Sequence, residues 1–214
     1  MAAASGTAAV PDCLREALGK FSTEAPAGWA YTLTTVRNGK DRATARFDPA
    51  KPPAGRWTLL QLNGRAPNAK EASQYAQVRA ANNSAAPQGT FQKGDIEPAS
   101  VELLREDAER AEFRCAFRAE AASSDKMLGH LALRLMVNKR SPHVEKFTLE
   151  LTAPYSPVLG VKMRELRVEM SFTAPSSTGP SLPVASTSHF LGRIFLIGVE
   201  EDLALTYSDF AKRE

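Results

Sequence analysis

The chain of 214 residues is poor in the side chains that most often carry chemistry. It has three histidines and two cysteines, and its 27 basic and 24 acidic residues are interspersed, giving a formal net charge of +3. No Lys/Arg run forms the basic stripe of a nucleic-acid-binding surface, so we expect no nucleic-acid partner. No apolar run approaches the ~20 residues of a membrane-spanning helix, so we expect no spanning segment.

The few cysteines and histidines show no metal-ligand pattern. Cys13 and Cys115 are too few for a four-ligand zinc site, and they form either one disulfide, in an exported protein, or two small buried thiols. His130, His143 and His189 lack ligand spacing to another His, Cys or carboxylate, so we interpret them as solvated or hydrogen-bonded. There is no G-x-S-x-G elbow and no Gly-rich phosphate loop. The sequence therefore predicts no enzyme activity, no cofactor and no metal.

Two short segments each allow two interpretations. Residues 200–202, Glu-Glu-Asp, either meet a cation or form a solvated hairpin tip, and a tip is the usual outcome for short charge runs. Residues 1–9 lack the basic and apolar regions of a signal peptide and resemble the small-residue stretch after a cleavage site. This favours a periplasmic protein whose signal peptide has been removed, with a disordered tail over 1–9. The alternative is a cytosolic start with an Ala-rich tail.

Local patterns predict a helix and then a hairpin near the start of the chain. Apolar side chains recur at helical spacing over 10–21. Large side chains then alternate with small or polar ones on both sides of Asn38 and Gly39, a strong hairpin turn. We therefore predict an amphipathic helix followed by a β-hairpin over about 29–48.

A strand over 56–62 and a second helix over 68–82 come next. Asn68 and Glu71 have the spacing of a capping box, and a surface loop over 82–94 follows the helix. From about residue 99 the apolar positions recur with a period of two. The strands predicted from this alternation include 101–103, 113–117, 131–137, 147–151, 166–172, 190–199 and 203–207.

Clean alternation of apolar and charged residues is typical of antiparallel strands with one face in water. About nine such strands offer on the order of thirty inward apolar side chains, and two helices cover about a third of them. We predict a single domain over 1–214 with an α+β, mainly antiparallel β fold. It is a strongly curved unclosed barrel, or half-barrel, with two helices covering the concave face. A sandwich filled by its own side chains is the alternative.

Aromatic residues concentrate on the first predicted strands. Trp29, Tyr31, Phe47 and Trp57 form either one wall of an acyl-chain pocket or ordinary core packing, which is the commoner role of aromatics. If the concave face binds a ligand, the predicted lining of its hydrophobic cavity is Trp29, Tyr31, Leu33, Phe47, Trp57, Leu59, Phe113, Phe117 and Leu133.

The order of elements adds a resemblance. An amphipathic helix and a Trp/Tyr hairpin precede the strand, turn and helix of residues 56–71, and a long meander ends near 206–210. This resembles the LolA/LolB-like superfamily of periplasmic lipoprotein carriers and their uncharacterised relatives. The resemblance implies helices that lid a concave acyl-binding face and gating by the first helix. It also implies a lipid or lipoprotein acyl chain as partner, with an envelope protein as a further partner. Arg46 is a candidate for the arginine that holds the lid closed.

Three functional hypotheses follow. The first is a periplasmic lipid- or acyl-chain-binding, carrier-like protein driven by burial of CH₂ groups. The second is a non-catalytic envelope interaction module, which requires a dry packed interior and an exposed apolar patch. The third is a hydrolase, which requires one of the three histidines near a nucleophile or paired carboxylates.

Overall fold

A computed structural model describes residues 10–23, 25–82, 91–176 and 179–213. The predicted tail over 1–9 and most of the predicted loop over 82–94 lie outside these residues. Within the described ranges the elements are α1 (Asp12–Gly19), β1 (Trp29–Arg37), β2 (Asp41–Phe47), β3 (Trp57–Leu62), α2 (Ala69–Asn82), β4 (Glu102–Glu106), β5 (Arg110–Cys115), α3 (Ala119–Ser124), β6 (Leu131–Asn138), β7 (His143–Leu151), β8 (Val161–Phe172), β9 (Pro183–Ile194) and β10 (Ile197–Lys212).

Ten antiparallel strands form one sheet in the order β3-β2-β1-β10-β9-β8-β7-β6-β5-β4. Every pair of neighbouring strands in this sheet is antiparallel, and the first strand pairs with the last. The sheet ends in two free edges, β3 and β4, so it curves without closing into a barrel. The prediction of an α+β, mainly antiparallel half-barrel is confirmed, with ten strands where the sequence indicated about nine.

The register places the apolar side chains of most strands on one face. Starting from Phe147, the successive partners across the sheet are Met170, Ser186, Leu205 and Thr35. Directly paired residues of neighbouring strands point to the same side of a sheet. The two ends of the sheet therefore share one concave face.

The opposite, convex face carries the charged residues of the alternating pattern. Glu150 on β7 pairs with Arg134 on β6 and with Arg167 on β8. Glu169 continues this chain of contacts, 3.2 Å from Arg167 and 3.3 Å from Lys146. Pairs on a solvated surface contribute little to stability, so this face mainly keeps one side of the sheet in water.

A packed interior, which we call the main core, lies between α1 and the strands β5 to β8. Leu14 and Ala17 of α1 are 0% and 1% exposed and pack on β6 and β7. Leu135 on β6 is also 0% exposed. The buried members of the main core are Leu14, Ala17, Phe91, Ile96, Ala111, Phe113, Cys115, Leu128, Leu131, Leu133, Leu135, Val137, Val144, Phe147, Leu149, Met170 and Phe172.

The two cysteines sit in this core as free thiols. Cys115 is buried and Cys13 is half-buried at its margin, so the thiol alternative is the one that the structure shows. Burial raises the pKa of Cys115 to about 12. A thiol that stays protonated at neutral pH is a weak nucleophile.

The second helix begins as predicted. The backbone N–H of Glu71 donates to Asn68 Oδ1 at 2.9 Å, and the N–H of Asn68 donates to Glu71 Oε2 at 2.8 Å. This reciprocal pair satisfies two backbone donors that a helix N-terminus otherwise leaves unpaired. Of the described helices, none is both long and apolar enough to cross a membrane.

The last hairpin differs from the prediction. The sequence placed its tip at residues 200–202, but β10 starts at Ile197, so these acidic residues lie within the strand. The turn is made by Phe195 and Leu196, and Phe195 has a φ of +52°. Glu200 and Asp202 alternate with Val199, Glu201 and Leu203 along the strand, so the charged run does not break the pairing.

Candidate functional site

Seven aromatic rings meet at one end of the concave face. Tyr31 is central, with ring centroids of Phe47 at 5.1 Å, of Trp57 at 5.9 Å and of Phe210 at 5.7 Å. Contacts at these distances stabilise beyond simple burial. We call this set the aromatic cluster: Trp29, Tyr31, Phe47, Trp57, Tyr75, Tyr207 and Phe210.

Strand register and α2 together build the cluster. Tyr31 pairs with Phe47, and Phe47 pairs with Trp57, which stacks the rings of β1, β2 and β3 side by side. Tyr207 is brought in by β10, which pairs with β1. Tyr75 reaches the cluster from α2, its ring 6.5 Å from that of Trp57.

The nine predicted lining residues fall into two groups. Trp29, Tyr31, Phe47 and Trp57 are in the aromatic cluster, and Leu33 and Leu59 are 4% and 6% exposed beside it. Phe113 and Leu133 are 1% and 0% exposed inside the main core, and Phe117 packs against that core. The structure thus brings the first six together and places the other three in or against the main core.

Arg46, the candidate lid arginine, lies on the convex side. It pairs in register with Thr32, one residue away from the inward-facing Leu33. Its Nη1 donates to the carbonyl of Asp209 at 2.7 Å and to Thr32 Oγ1 at 3.3 Å. Arg46 therefore ties β2 to β10.

A different arginine, Arg79, points from α2 into the aromatic cluster. Its Cζ lies 4.9 Å from the Trp57 ring centroid and 5.3 Å from that of Tyr75. Its Nε–H donates to the Tyr75 hydroxyl at 3.0 Å. Among the described residues no carboxylate forms an ion pair with Arg79. The guanidinium is held over aromatic faces and keeps its outer N–H groups for another acceptor.

Two buried polar atoms near the cluster lack a partner among the described residues. They are Trp57 Nε1, on a side chain of a residue that is 7% exposed, and Thr35 Oγ1. A buried donor without an acceptor costs roughly 1–3 kcal/mol. Burial also raises the pKa of Tyr207, against the opposing effect of the Arg79 charge. This end of the face therefore holds polar groups that an apolar core avoids.

Between the main core and the aromatic cluster the concave face is only half-buried. The residues of this central strip are Leu166, Val168, Ser186, Ser188, Phe190, Leu203 and Leu205. Ser188 is paired with Val168 on one side and with Leu203 on the other. Ser186 and Ser188 are shorter than the side chains paired with them on β8 and β10, so the strip is lowest along β9. The described helices pack mainly on β6, β7 and β3, to either side of the strip.

Two further clefts lie away from the predicted lining. A cleft of about 850 Å³ contains His143, Arg110 and Glu145, and one of about 250 Å³ contains His189 and Asp202. Neither is lined by any of the nine predicted residues. In the larger cleft Arg110 Nε and Glu145 are already paired at 2.7 Å.

The three histidines have different surroundings. His130 stacks on Tyr155 with centroids 3.9 Å apart, and the buried His143 contacts the carbonyl of Ser141 through Nδ1 at 2.5 Å. His189 Nδ1 lies 2.8 Å from Asp202 Oδ1, which raises the pKa of His189. The strand register creates this pair, and the sequence spacing did not show it.

His189, Glu200 and Asp202 each offer one ligand atom, and these atoms lie within 4.8 Å of one another. The three can therefore meet one cation. Glu200 and Asp202 are exposed, and exposed groups of this kind are common without an ion. The described residues thus define an antiparallel half-barrel with a packed end, a half-open central strip and an aromatic end that holds an unpaired cation.

Comparison with known proteins finds solved structures that align along most of this chain at low sequence identity. No protein-family model and no curated protein matches the sequence. A LolA superfamily protein from Nitrosomonas europaea has a solved structure with 14% identity and a TM-score of 0.43, covering 96% of this chain and 94% of that one. An isomerase-inactive GphF variant has 9% identity and a TM-score of 0.17, over 94% of this chain and 80% of that one. At these identities and TM-scores the likeness does not indicate a function.

Proposed function

We propose that this protein is a non-catalytic, carrier-like protein that binds a lipid or the acyl chain of a lipoprotein on its concave face. The observation that carries the proposal is the central strip, where half-buried apolar side chains flank the short Ser186 and Ser188. We infer that the strip forms a groove with these two serines at its floor. Apolar side chains left half-open on a face that is otherwise covered are typical of a ligand site.

The groove has the dimensions and chemistry of an acyl chain. From Leu203 to Tyr207 the strand makes four steps, roughly 14 Å at ~3.4 Å per residue. Each CH₂ group that leaves water contributes about 0.8 kcal/mol. The Tyr207 end of the groove leads to Arg79, whose charge acts on Tyr207.

Arg79 indicates which head group the proposed ligand carries. One guanidinium whose Nη groups have no partner among the described residues matches a single carboxylate, which it can bind through two parallel hydrogen bonds. The Tyr75 hydroxyl accepts from Arg79 Nε, so its own proton remains able to donate to the ligand. A long-chain carboxylate therefore fits better than an uncharged lipid of the same length.

We expect α2, rather than α1, to open the site. The inward positions of α2 are half-buried and mostly small, with Ala72 and Ala76 beside Tyr75. In α1, by contrast, Leu14 and Ala17 are almost fully buried. Fewer buried contacts make a segment easier to displace. This differs from the gating by the first helix that the resemblance implies.

A periplasmic location and an envelope protein as a second partner belong to the same proposal. The order of elements supports them, since it resembles that of periplasmic lipoprotein carriers. Fractionation of cells that produce the protein from its own gene, with detection by antibody, tests the location. Recovery in the cytoplasmic fraction alone would contradict it.

Binding is tested with hexadecanoic acid and hexadecanol, followed by native mass spectrometry and tryptophan fluorescence. Both tryptophans lie in the aromatic cluster, so fluorescence reports on this end of the face. We expect both lipids to bind, the acid about ten- to a hundredfold more tightly, because a charge-assisted hydrogen bond adds ~1.5–3 kcal/mol. Arg79→Gln should abolish that preference, and Lys70→Gln, an exposed residue of the same helix, should leave it intact.

The groove itself is tested by filling it. Ser188→Phe should block binding of both lipids, because the ring occupies the floor of the central strip. Thr187→Phe is the matched control, since Thr187 is exposed on the opposite face of the same strand. Absence of binding by the wild-type protein would overturn the proposal and leave the interaction-module hypothesis, which the filled main core favours.

A further inference from the structure

An apolar tip projects from one end of the sheet. It consists of two neighbouring turns, one before β8 and one between β9 and β10. Leu159 is 99% exposed and Leu196 is 92% exposed, so both stand in water with almost no contact to the protein. The members of the apolar tip are Val158, Leu159, Ile194, Phe195, Leu196 and Ile197.

The two turns are fastened to each other. The N–H of Phe195 donates to the carbonyl of Gly160 at 2.5 Å. The Phe195 ring also lies against Gly160, where a Cβ would approach to 2.7 Å of the ring. Gly160 has a φ of +83°, a conformation that favours glycine. These contacts hold the two turns of the apolar tip together.

Three cations lie on the ends of β8 and β9 that lead to the apolar tip. Lys162 and Arg193 pair directly across β8 and β9, and Arg164 follows on β8. Like charges directly opposite each other destabilise a sheet. All three are exposed, and none forms an ion pair with another described residue, whereas Arg105 and Arg110 on the far strands each pair with a glutamate.

Protruding apolar side chains beside cations that have no ion-pair partner among the described residues match an anionic lipid surface. The leucines and the phenylalanine can enter the boundary between head groups and acyl chains. Lys and Arg side chains next to them are attracted by the negative charge of the head groups. A stable protein partner would need a broad complementary surface, and six side chains at a tip offer little area.

We propose that the apolar tip docks this protein on the surface of a bilayer that contains anionic lipid. The docked orientation follows from the strands, because Leu166 and Phe190 of the central strip lie on the same strands, β8 and β9, that end at the apolar tip. Docking does not require that the groove bind a ligand, so the two proposals stand or fall separately.

The test is co-sedimentation of the full chain with vesicles of phosphatidylcholine alone or mixed with phosphatidylglycerol. We expect binding to the mixed vesicles, weakened by about tenfold or more in the Leu159→Ser/Leu196→Ser variant. Both side chains are almost fully exposed, so this variant should fold. Leu60→Ser/Val78→Ser removes two exposed apolar side chains elsewhere and should bind like the wild type.

The charges are tested separately. Lys162→Gln/Arg193→Gln should lose the preference for phosphatidylglycerol, and wild-type binding should weaken as salt is raised. Equal binding by the wild type and the Leu159→Ser/Leu196→Ser variant would overturn the proposal. So would self-association that depends on the leucines and persists without vesicles, since the apolar tip would then be an interface between copies of this chain.

Discussion

The main core and the aromatic cluster lie on the same concave face and differ in how closely they are packed and in the polar groups they contain. In the main core, residues such as Leu133, Leu135 and Val137 are 0% exposed, and α1 adds the fully buried Leu14. The aromatic cluster lies under α2, whose inward residues are half-buried and include Arg79. One end of the face is closed by packing, while the other keeps a cation and an indole N–H without an acceptor in the described part of the chain.

This difference indicates that one region mainly stabilises the fold and that the other is suited to binding. Close packing without polar atoms contributes stability, and it leaves no room for a ligand. Unpaired polar groups beneath a loosely packed helix cost stability, and they persist where a ligand can satisfy them. We therefore assign the fold mainly to the main core and the proposed binding to the aromatic cluster and central strip.

The largest expected contrast is in thiol accessibility. With Cys13 replaced by Ala, Cys115 should react with a thiol reagent only when the main core opens. A cysteine placed in the central strip by Leu205→Cys should react roughly a thousandfold faster or more, because opening of a core approaches global unfolding in free energy. Labelling rates measured in native buffer give the ratio. Similar rates at the two positions would show that the two regions are equally open.

Truncation of a leucine to alanine should lower the free energy of unfolding more in the main core than in the central strip. Leu135→Ala should lower the free energy of unfolding by about 2–5 kcal/mol, since it leaves a cavity in a closed core. Leu205→Ala should cost less than about 1.5 kcal/mol, because its site is already half-open to solvent. Urea denaturation measures both, and a larger loss for Leu205→Ala would break the comparison.

Removal of the unpaired indole N–H gives a smaller effect. Trp57→Phe loses ring volume, but it also removes a buried donor that has no acceptor among the described residues. These changes oppose each other, so we expect the free energy of unfolding to fall by less than about 1.5 kcal/mol. Denaturation followed by circular dichroism is suitable, because the substitution alters fluorescence. A loss as large as that of Leu135→Ala would place Trp57 within a closed core.

The smallest effect concerns the start of α2 and its response to acid. Hydrogen bonds from Arg65 and from the Asn68 backbone lower the pKa of Glu71 from 4.5 to about 2. The lowered pKa means that the carboxylate stabilises α2 above pH 4.5, and that this contribution is lost as the pH falls toward 2. Tryptophan fluorescence should therefore change over this range before global unfolding.

Glu71→Gln should flatten that fluorescence change. Glu16→Gln on α1 is the control, because Glu16 pairs with Lys20 at an exposed site beside the main core. It should leave the acid response of the tryptophans unchanged. A change that persists in Glu71→Gln would show that the cap of α2 does not control the aromatic cluster.

Local sequence patterns predict much of this fold and less of the site. The alternating pattern predicts β6 to β8 because apolar and polar residues follow a period of two there. The turn at Phe195 escaped prediction because no glycine or proline marks it, and a positive φ on phenylalanine is uncommon. Tyr207 joins the cluster through pairing of the first strand with the last, for which no local pattern exists.

The inward position of Arg79 could have been predicted from the sequence. It lies four residues after Tyr75 and seven after Ala72, so helical spacing places it on the same inward stripe. A cation on an otherwise apolar stripe is a sign of function that a search for alternation alone overlooks. Its position over Trp57, however, depends on how α2 packs on β3, which the sequence does not state.

The pairing of β1 with β10 sets an order of assembly. The main core draws on residues up to Phe172, so its strands can associate before the end of the chain has been made. The aromatic cluster needs Tyr207 and Phe210, and contacts between distant parts of a chain form slowly. A nascent chain would thus hold its first hairpin without a strand neighbour on one side until the last residues emerge. Production defects from changes in β10 should therefore appear as aggregation through β1, before any loss of binding is measurable.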